Sequence, residues 1–405
     1  MHLLLFIAVA PLSLTDAVEH IVSRGPEALA IAAEVAVARA DVRAAGAISN
    51  PTIAGIGAFV EPIATASLQL RLPIFGQRGA HVRAAEEAVR AAQASVDRQR
   101  WMLRREARLA YYDAARADAA VAIANDLEAL VAQVARIAAA RLEAGTGSRL
   151  EQQQAALLHA RSLQEVRDRQ SDARRSRLAL GRLLGATEAG TALLSDPLER
   201  VGSTPTLEAL LTAASQHPDL RLSDAVMQVA QAQADAARAD LRPLPTLDLG
   251  VDLLEHATCT GTASAVGSGA RGRCLAPHLG LAFDLPLFNW NRGPIERALA
   301  DKERESLVRE ASRVRIDAGI RSAFDGWVAA NERARFYGEE LVPVATAVEA
   351  MAREGFATGK SGLVSLLEAE RGVLEARVGR VNALAAMQAA RAELEEVSGV
   401  PQSLP

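Results

Sequence analysis

Residues 80–144 contain neither glycine nor proline. The stretch is dominated by Ala, Arg, Glu, Leu and Val, and its apolar positions recur at three- and four-residue spacing, as in Leu127, Leu130, Val131, Val134 and Ile137. That is the period of a helix with one apolar stripe and a solvated opposite face. At ~1.5 Å per residue an unbroken helix over this stretch reaches about 100 Å, far beyond an ordinary globular helix. Gly145, Thr146 and Gly147 interrupt it, and residues 148–180 again lack glycine and proline before Gly181. A helix, a glycine-containing turn and a returning helix predict an αα-hairpin. The chain is 50% hydrophobic but only 3% aromatic, so its apolar surface is mostly small side chains that let helices approach closely. Taken alone, the helices read as a soluble coiled-coil scaffold or adaptor.

The plan occurs twice. "LPIFGQRG" (72–79) returns as "LPLFNWNRG" (285–293), "ARADVRAAGAISNPTI" (38–53) as "AQADAARADLRPLPTL" (232–247), and "RLEAGTGSRLEQQQA" (141–155) as "FATGKSGLVSLLEAE" (356–370). The expected units are 13–200, with a β-hairpin at about 51–75 and a long α-hairpin at 80–184, and 201–400, with a β-hairpin at about 244–288 and a long α-hairpin at 294–398. They are halves of one fold and not independent domains. Residues 186–206 form the linker. Gly319, Gly326, Gly338 and Pro343 fall in the second outgoing helix, and Pro343 predicts a kink there.

Four segments alternate with period two. In 67–74, Leu68, Leu70, Leu72 and Ile74 oppose Ser67, Gln69, Arg71 and Pro73; in 246–253, Leu247, Leu249, Val251 and Leu253 oppose Thr246, Asp248, Gly250 and Asp252. In 278–287, Leu279, Leu281, Phe283, Leu285 and Leu287 oppose His278, Gly280, Ala282, Asp284 and Pro286; residues 52–59 alternate more weakly. Two settings suit such strands: a sheet packed on helices, or a membrane barrel that is apolar toward lipid and polar toward water. Four strands cannot close a barrel, and an open edge cannot face hydrocarbon. The barrel setting therefore demands several chains. The hairpin loops, 60–66 and about 255–276, are expected on one rim.

The net charge of −4 and pI of about 6.1 leave no basic excess for nucleic acid. Residues 1–12 carry an apolar run, Leu3 to Ala10, with the length of a secretion-signal core but no Lys or Arg before it. It reads as a weak or truncated signal, or as the apolar start of a mature helix. Both cysteines, Cys259 and Cys274, lie in the second strand loop. They are expected to pair as a disulfide in an oxidising compartment, with two free thiols as the alternative. The seven histidines are scattered, with no HExxH or paired-cysteine spacing. "ATGKSGL" lacks the upstream glycine of a phosphate loop and sits at a helix–helix turn. No catalytic residue, cofactor or resident metal site is expected.

Together, the duplication, the paired strand-to-helix phrases and the turns "AGTGS" and "TGKSG" resemble the outer-membrane efflux protein family, the TolC-like channels. The likeness covers the chain after its first dozen residues. "LPLFNWNRGPIERALA" is similar to the branch serving heavy-metal cation exporters (CzcC-like and CusC-like). The resemblance implies a mainly α fold with a small β part. Long α-hairpins would form a periplasmic α-barrel, and four strands per protomer would enter a shared trimeric outer-membrane β-barrel. It implies a passive, non-enzymatic exit duct in a homotrimer, working with a periplasmic adaptor and an inner-membrane pump of the RND type, and set in outer-membrane lipid. Drug efflux and type I polypeptide secretion are the related alternatives. By the same likeness, Arg141, Gly145, Thr146, Gly147 and Ser148, with Gly359, Lys360, Ser361 and Gly362, are adaptor-docking candidates. Glu151, Lys360 and Glu368 are gate candidates: a Glu151–Lys360 latch, and Glu368 as one acidic ring. The family's first ring carboxylate is replaced here by Ser365.

Overall fold

The structure is a computed structural model that describes residues 11–57, 62–186, 192–199, 206–255, 264–266, 273–284, 288, 290–358 and 360–400. Helices α1 (Leu14–Arg24) and α2 (Pro26–Ala45) precede strands β1 (Thr52–Gly57) and β2 (Ala64–Arg71) and the hairpin α3 (Gln77–Glu143) and α4 (Arg149–Leu184). The order then repeats: α5 (Leu207–Ala213), α6 (Pro218–Ala239), β3 (Leu244–Glu255), β4 (Ser264–Val266), β5 (Arg273–Asp284), α7 (Arg292–Phe336), α8 (Val342–Ala357) and α9 (Leu363–Ser398). Among the described residues no helix is long and apolar enough to cross a membrane. By packing, the chain divides into two compact units, and each combines segments of both sequence halves.

One unit holds Met1–Ala32, Asp97–Leu220 and Ser312–Pro405. Its largest core sets Leu14, Val18 and Ile21 of α1 against Leu103, Ala107 and Tyr111 of α3, Leu180 and Leu183 of α4, and Leu384 and Met387 of α9. Ala17, Ala107 and Ala114 are wholly buried there, so alanine lets the helix backbones close in. A second core repeats the arrangement with Leu210 of α5 against Ile316, Ile320 and Trp327 of α7 and Leu394 of α9. The Tyr111 hydroxyl donates to Leu12 O at 2.9 Å and accepts from Asp196 N at 3.1 Å, which ties the start of the chain to the linker.

Just before Pro343, where a kink is expected, the helical run widens into a π-turn. Helix α7 runs straight through Gly319 and Gly326 and ends in a π-turn, Tyr337–Leu341, that hands over to α8. Proline has no N–H for the carbonyl four residues back and collides with it. The wider π-turn, which also contains Gly338, takes up that mismatch without ending the helical run.

The other unit holds Ala33–Val96 and Arg221–Ala311. Its sheet is antiparallel, in the order β1-β2-β3-β5-β4. Two expectations change. A fifth, three-residue strand, β4, lies in the long second loop and pairs with the start of β5. The second strand ends at Arg71 and not at Ile74: Leu72 N makes one last bond, to Pro245 O at 2.8 Å, and Pro73 has no N–H to continue. The expected strand 278–287 is β5, 273–284, and residues 285–287 lie outside the described residues, as do residues 60 and 61 of the first hairpin loop and most of the second.

The duplicated phrases share a device. The residue just before each long helix is left-handed: Gly76 at φ +91° before α3 and Asn291 at φ +48° before α7. Each backbone oxygen then accepts the first helical bond, from Ala80 and Ile295 at 3.0 and 3.1 Å. Glycine and asparagine are the residues that take this conformation most readily.

Candidate functional site

The sheet is inverted relative to a soluble protein. Its apolar row is the exposed one: Ile53 is 83% accessible, Leu279 70%, Leu281 62% and Phe283 51%. The register puts these on one face with Leu68, Leu249 and Val251. The opposite row is polar and interlocked. Thr65 Oγ1 donates to Asp252 at 2.6 Å and Gln69 Nε2 to Asp248 at 2.8 Å. His278 lies between the two carboxylates, with Nδ1 3.0 Å from Asp252 and Nε2 3.5 Å from Asp248. The ring covers Gly250, where a Cβ would come within 2.4 Å of it. The carboxylates face opposite ring nitrogens and so do not converge on one point. Among the described residues no set of three or more His, Cys, Asp or Glu could hold a metal ion. Cys274, on β5, is fully buried and disulfide-bonded; Cys259 lies outside the described residues.

In the helical unit the two hairpin turns pack together. Val134 and Ala138 of α3, Ala155 of α4 and Leu366 of α9 form a small core with Phe356 of α8. The Arg141 guanidinium stacks 5.4 Å over the Phe356 ring and so fastens the end of α3 to the end of α8. The first turn closes by bonds from Thr146 N and Gly147 N to Arg141 O, both 2.9 Å. Gly145 has φ +72°, and a Cβ on Gly147 would press on Arg141 at 3.0 Å. Ser148 then caps α4 in a capping box: its hydroxyl accepts from Glu151 N, and the Glu151 carboxylate accepts from Ser148 N, both 3.1 Å. In the second turn Lys360 N and Ser361 N donate to Gly355 O, while Gly359 lies outside the described residues.

Of the expected gate residues, Lys360, Ser365 and Glu368 are exposed and Glu151 is half-buried. Glu151 and Lys360 do not pair within the chain; the Glu151 carboxylate is engaged by its own helix start. The sequence reading missed a buried set just above the turns. Arg353 of α8 bonds to Glu349, one helical turn back, and to Glu370 of α9 at 3.2 Å. Both carboxylates are buried, 8% and 6% accessible. Burial, with a hydrogen bond to Glu349, pushes the Glu370 carboxyl up to about 7. The available signal was position: Glu370 lies on the same face as Leu366, Ala369 and Val373, where a solvated glutamate does not belong.

With this geometry in view, the chain can be set beside known proteins. It is 24% identical over 337 residues to the cobalt-zinc-cadmium resistance protein CzcC of Cupriavidus metallidurans, covering 83% of this chain and 77% of that one. It is 26% identical over 393 residues to the nickel-cobalt-cadmium resistance protein NccC of Alcaligenes xylosoxydans xylosoxydans, covering 91% and 85%. The outer membrane protein VceC of Vibrio cholerae shares the fold, with a TM-score of 0.73 over 96% of this chain and 97% of that one, at 18% identity. The outer membrane efflux protein family matches residues 18–186 and 210–400, nearly the whole chain, and the protein belongs to that family.

Proposed function

We propose that the protein is the passive outer-membrane exit duct of a tripartite heavy-metal efflux system. One observation carries this: the sheet turns its apolar row outward and its Asp/His row inward, and its edges are open. Among the described residues β1 has no partner beyond β2, and Ala276–Asp284 of β5 has none beyond β3. Those N–H and C=O groups need partners in hydrocarbon. Three copies sharing one barrel supply them, edge to edge. The long hairpins then line a periplasmic tunnel whose turns meet an adaptor, and an RND-type pump drives transport. Small side chains at Gly145, Thr146, Gly147 and Ser148 and at Ser361 and Gly362 leave room for an incoming helix backbone. Arg141 is held against Phe356 and acts there from behind the turn.

Metal cargo is supported by the names that CzcC and NccC carry. It is also supported by the acidic lining at Asp248 and Asp252 and by the exposed Glu368, which in a trimer makes one acidic ring that attracts cations. Lys360 and Glu151 of adjoining copies form the latch in this reading. Deleting the gene in its native host is expected to raise cellular zinc, cobalt or cadmium and to sensitise the cells to these ions, with restoration by the intact gene. Unchanged metal handling with new sensitivity to hydrophobic drugs, or with loss of a secreted polypeptide, would move the duct to the corresponding alternative.

A further inference from the structure

The polar row of the sheet holds one built cluster. On β3, Asp248 and Asp252 share a face, one on either side of Gly250. His278 stands opposite Gly250 on β5, and its ring lies over the bare glycine, where a Cβ would meet the ring at 2.4 Å and the Ser67 Cβ of β2 at 2.8 Å. From there Nδ1 comes within 3.0 Å of Asp252 Oδ2 and Nε2 within 3.5 Å of Asp248 Oδ1. The other oxygen of each carboxylate is held from β2: Thr65 Oγ1 donates to Asp252 Oδ1 at 2.6 Å, and Gln69 Nε2 to Asp248 Oδ2 at 2.8 Å. Oδ1 of Asp248 is buried and makes no hydrogen bond, so the ring is what covers it. Among the described residues no lysine or arginine pairs with either carboxylate, which leaves the imidazole as their one basic neighbour. Arg71 and Asp284, the other charged groups on this face, sit nearer the strand ends.

We propose that His278 is a specificity-determining residue of the barrel lumen: laid over Gly250, it covers the ring-facing oxygens of Asp248 and Asp252 and so limits how strongly the wall holds passing cations. The proposal rests on the duct reading, which turns this row toward the bore. A conducting wall must attract its ion and then release it. Two bare carboxylates on one strand, repeated in every copy, would concentrate negative charge around a narrow bore and hold a divalent cation more firmly than a monovalent one. The ring sets a basic group against those oxygens, which weakens the local field and leaves neither carboxylate bare. Removing it therefore strengthens the preference for cations and lengthens the stay of a divalent one. Gly250 is the positioning residue, because a side chain there lifts the ring away from the carboxylates.

The test is the cation-over-anion permeability ratio of the purified full-length protein, from reversal potentials in planar bilayers, together with the zinc concentration that halves the current. Against wild type, His278→Ala is expected to raise the ratio several-fold and to be blocked by several-fold less zinc. Gly250→Ala, which keeps the histidine but displaces it, is expected to shift both values the same way, and it supplies the comparison if His278→Ala does not insert. Adding Asp248→Asn and Asp252→Asn to either variant is expected to return both values to wild type or below, a reversal that loosened strand packing alone does not give. Wild-type selectivity and zinc block in both single variants, or a shift that persists without the aspartates, overturns this role and leaves the duct standing. A wild-type protein that forms no conducting channel overturns the duct reading and this role with it.

Discussion

Arg108 and Glu395 are both buried in the helical unit, 8% and 3% accessible at their side chains, and are joined by a 2.7 Å bond. Replacing Arg108 by Met keeps the length and apolar bulk but leaves the carboxylate without that bond. Breaking a buried pair on one side costs ~3–5 kcal/mol. Arg391 remains 3.9 Å from Glu395, so the lower end, ~3 kcal/mol, is expected. At about 2.1 cal/mol/K per residue, the 405-residue chain has a melting entropy of about 0.85 kcal/mol/K, which converts the loss to a fall in Tm of ~3.5 °C. The loss has a pH signature. Burial pushes the Glu395 carboxyl up to about 7 against the neighbouring arginines, so its contribution to stability falls as pH rises from the unfolded carboxylate range through 7. Without Arg108 the folded value rises further, so the deficit is larger at pH 8 than at pH 6. Thermal unfolding in detergent at both pH values measures this, with Arg116→Met, which removes an exposed pair with Asp113, as the near-neutral control. An Arg108→Met protein that melts with wild type at pH 8, or no lower than the control, would refute the assignment of this pair as structural.

Tyr111→Phe removes the hydroxyl that joins Leu12 O to Asp196 N and leaves both groups with one partner fewer, a loss of ~1–3 kcal/mol. Limited proteolysis is expected to cut the linker near Asp196 sooner than in wild type. Burial pushes the His217 imidazole down, where it accepts from Asp219 N and donates to Glu396 O. Its contribution is present above the ordinary histidine value of ~6.5 and lost as pH falls below it, so wild-type Tm is expected to drop between neutral pH and pH 5 more than that of His217→Asn. Lys360→Ala is expected to raise single-channel conductance in planar bilayers, and an unchanged conductance counts against the latch.

The sequence made the repeat, the strands and the hairpins legible because each is a periodic signal. Period-two alternation around Leu247–Leu253 and Leu279–Phe283 has no competing interpretation, and a stretch free of glycine and proline has one cheap backbone solution. The ends of elements were harder. Pro73, inside the alternating run, ends the ladder after the Leu72 bond to Pro245 O, although the apolar alternation itself continues to Ile74. Pro343 announced a disturbance but not that a π-turn would absorb it. Buried charge was the least legible feature. Arg108 and Glu395 are 287 residues apart and look like two more residues of a solvated helix face. Glu368 and Glu370 are two positions apart, and helical spacing puts one in water and the other on the buried face of Leu366 and Val373.

Trimeric insertion into the outer membrane is tested by fractionating cells that express the protein and measuring the native mass of the detergent-extracted particle. A trimer recovered from the outer-membrane fraction is the predicted result, because the edges of β1 and β5 must find partners there. A monomer in the soluble periplasmic fraction would contradict the account.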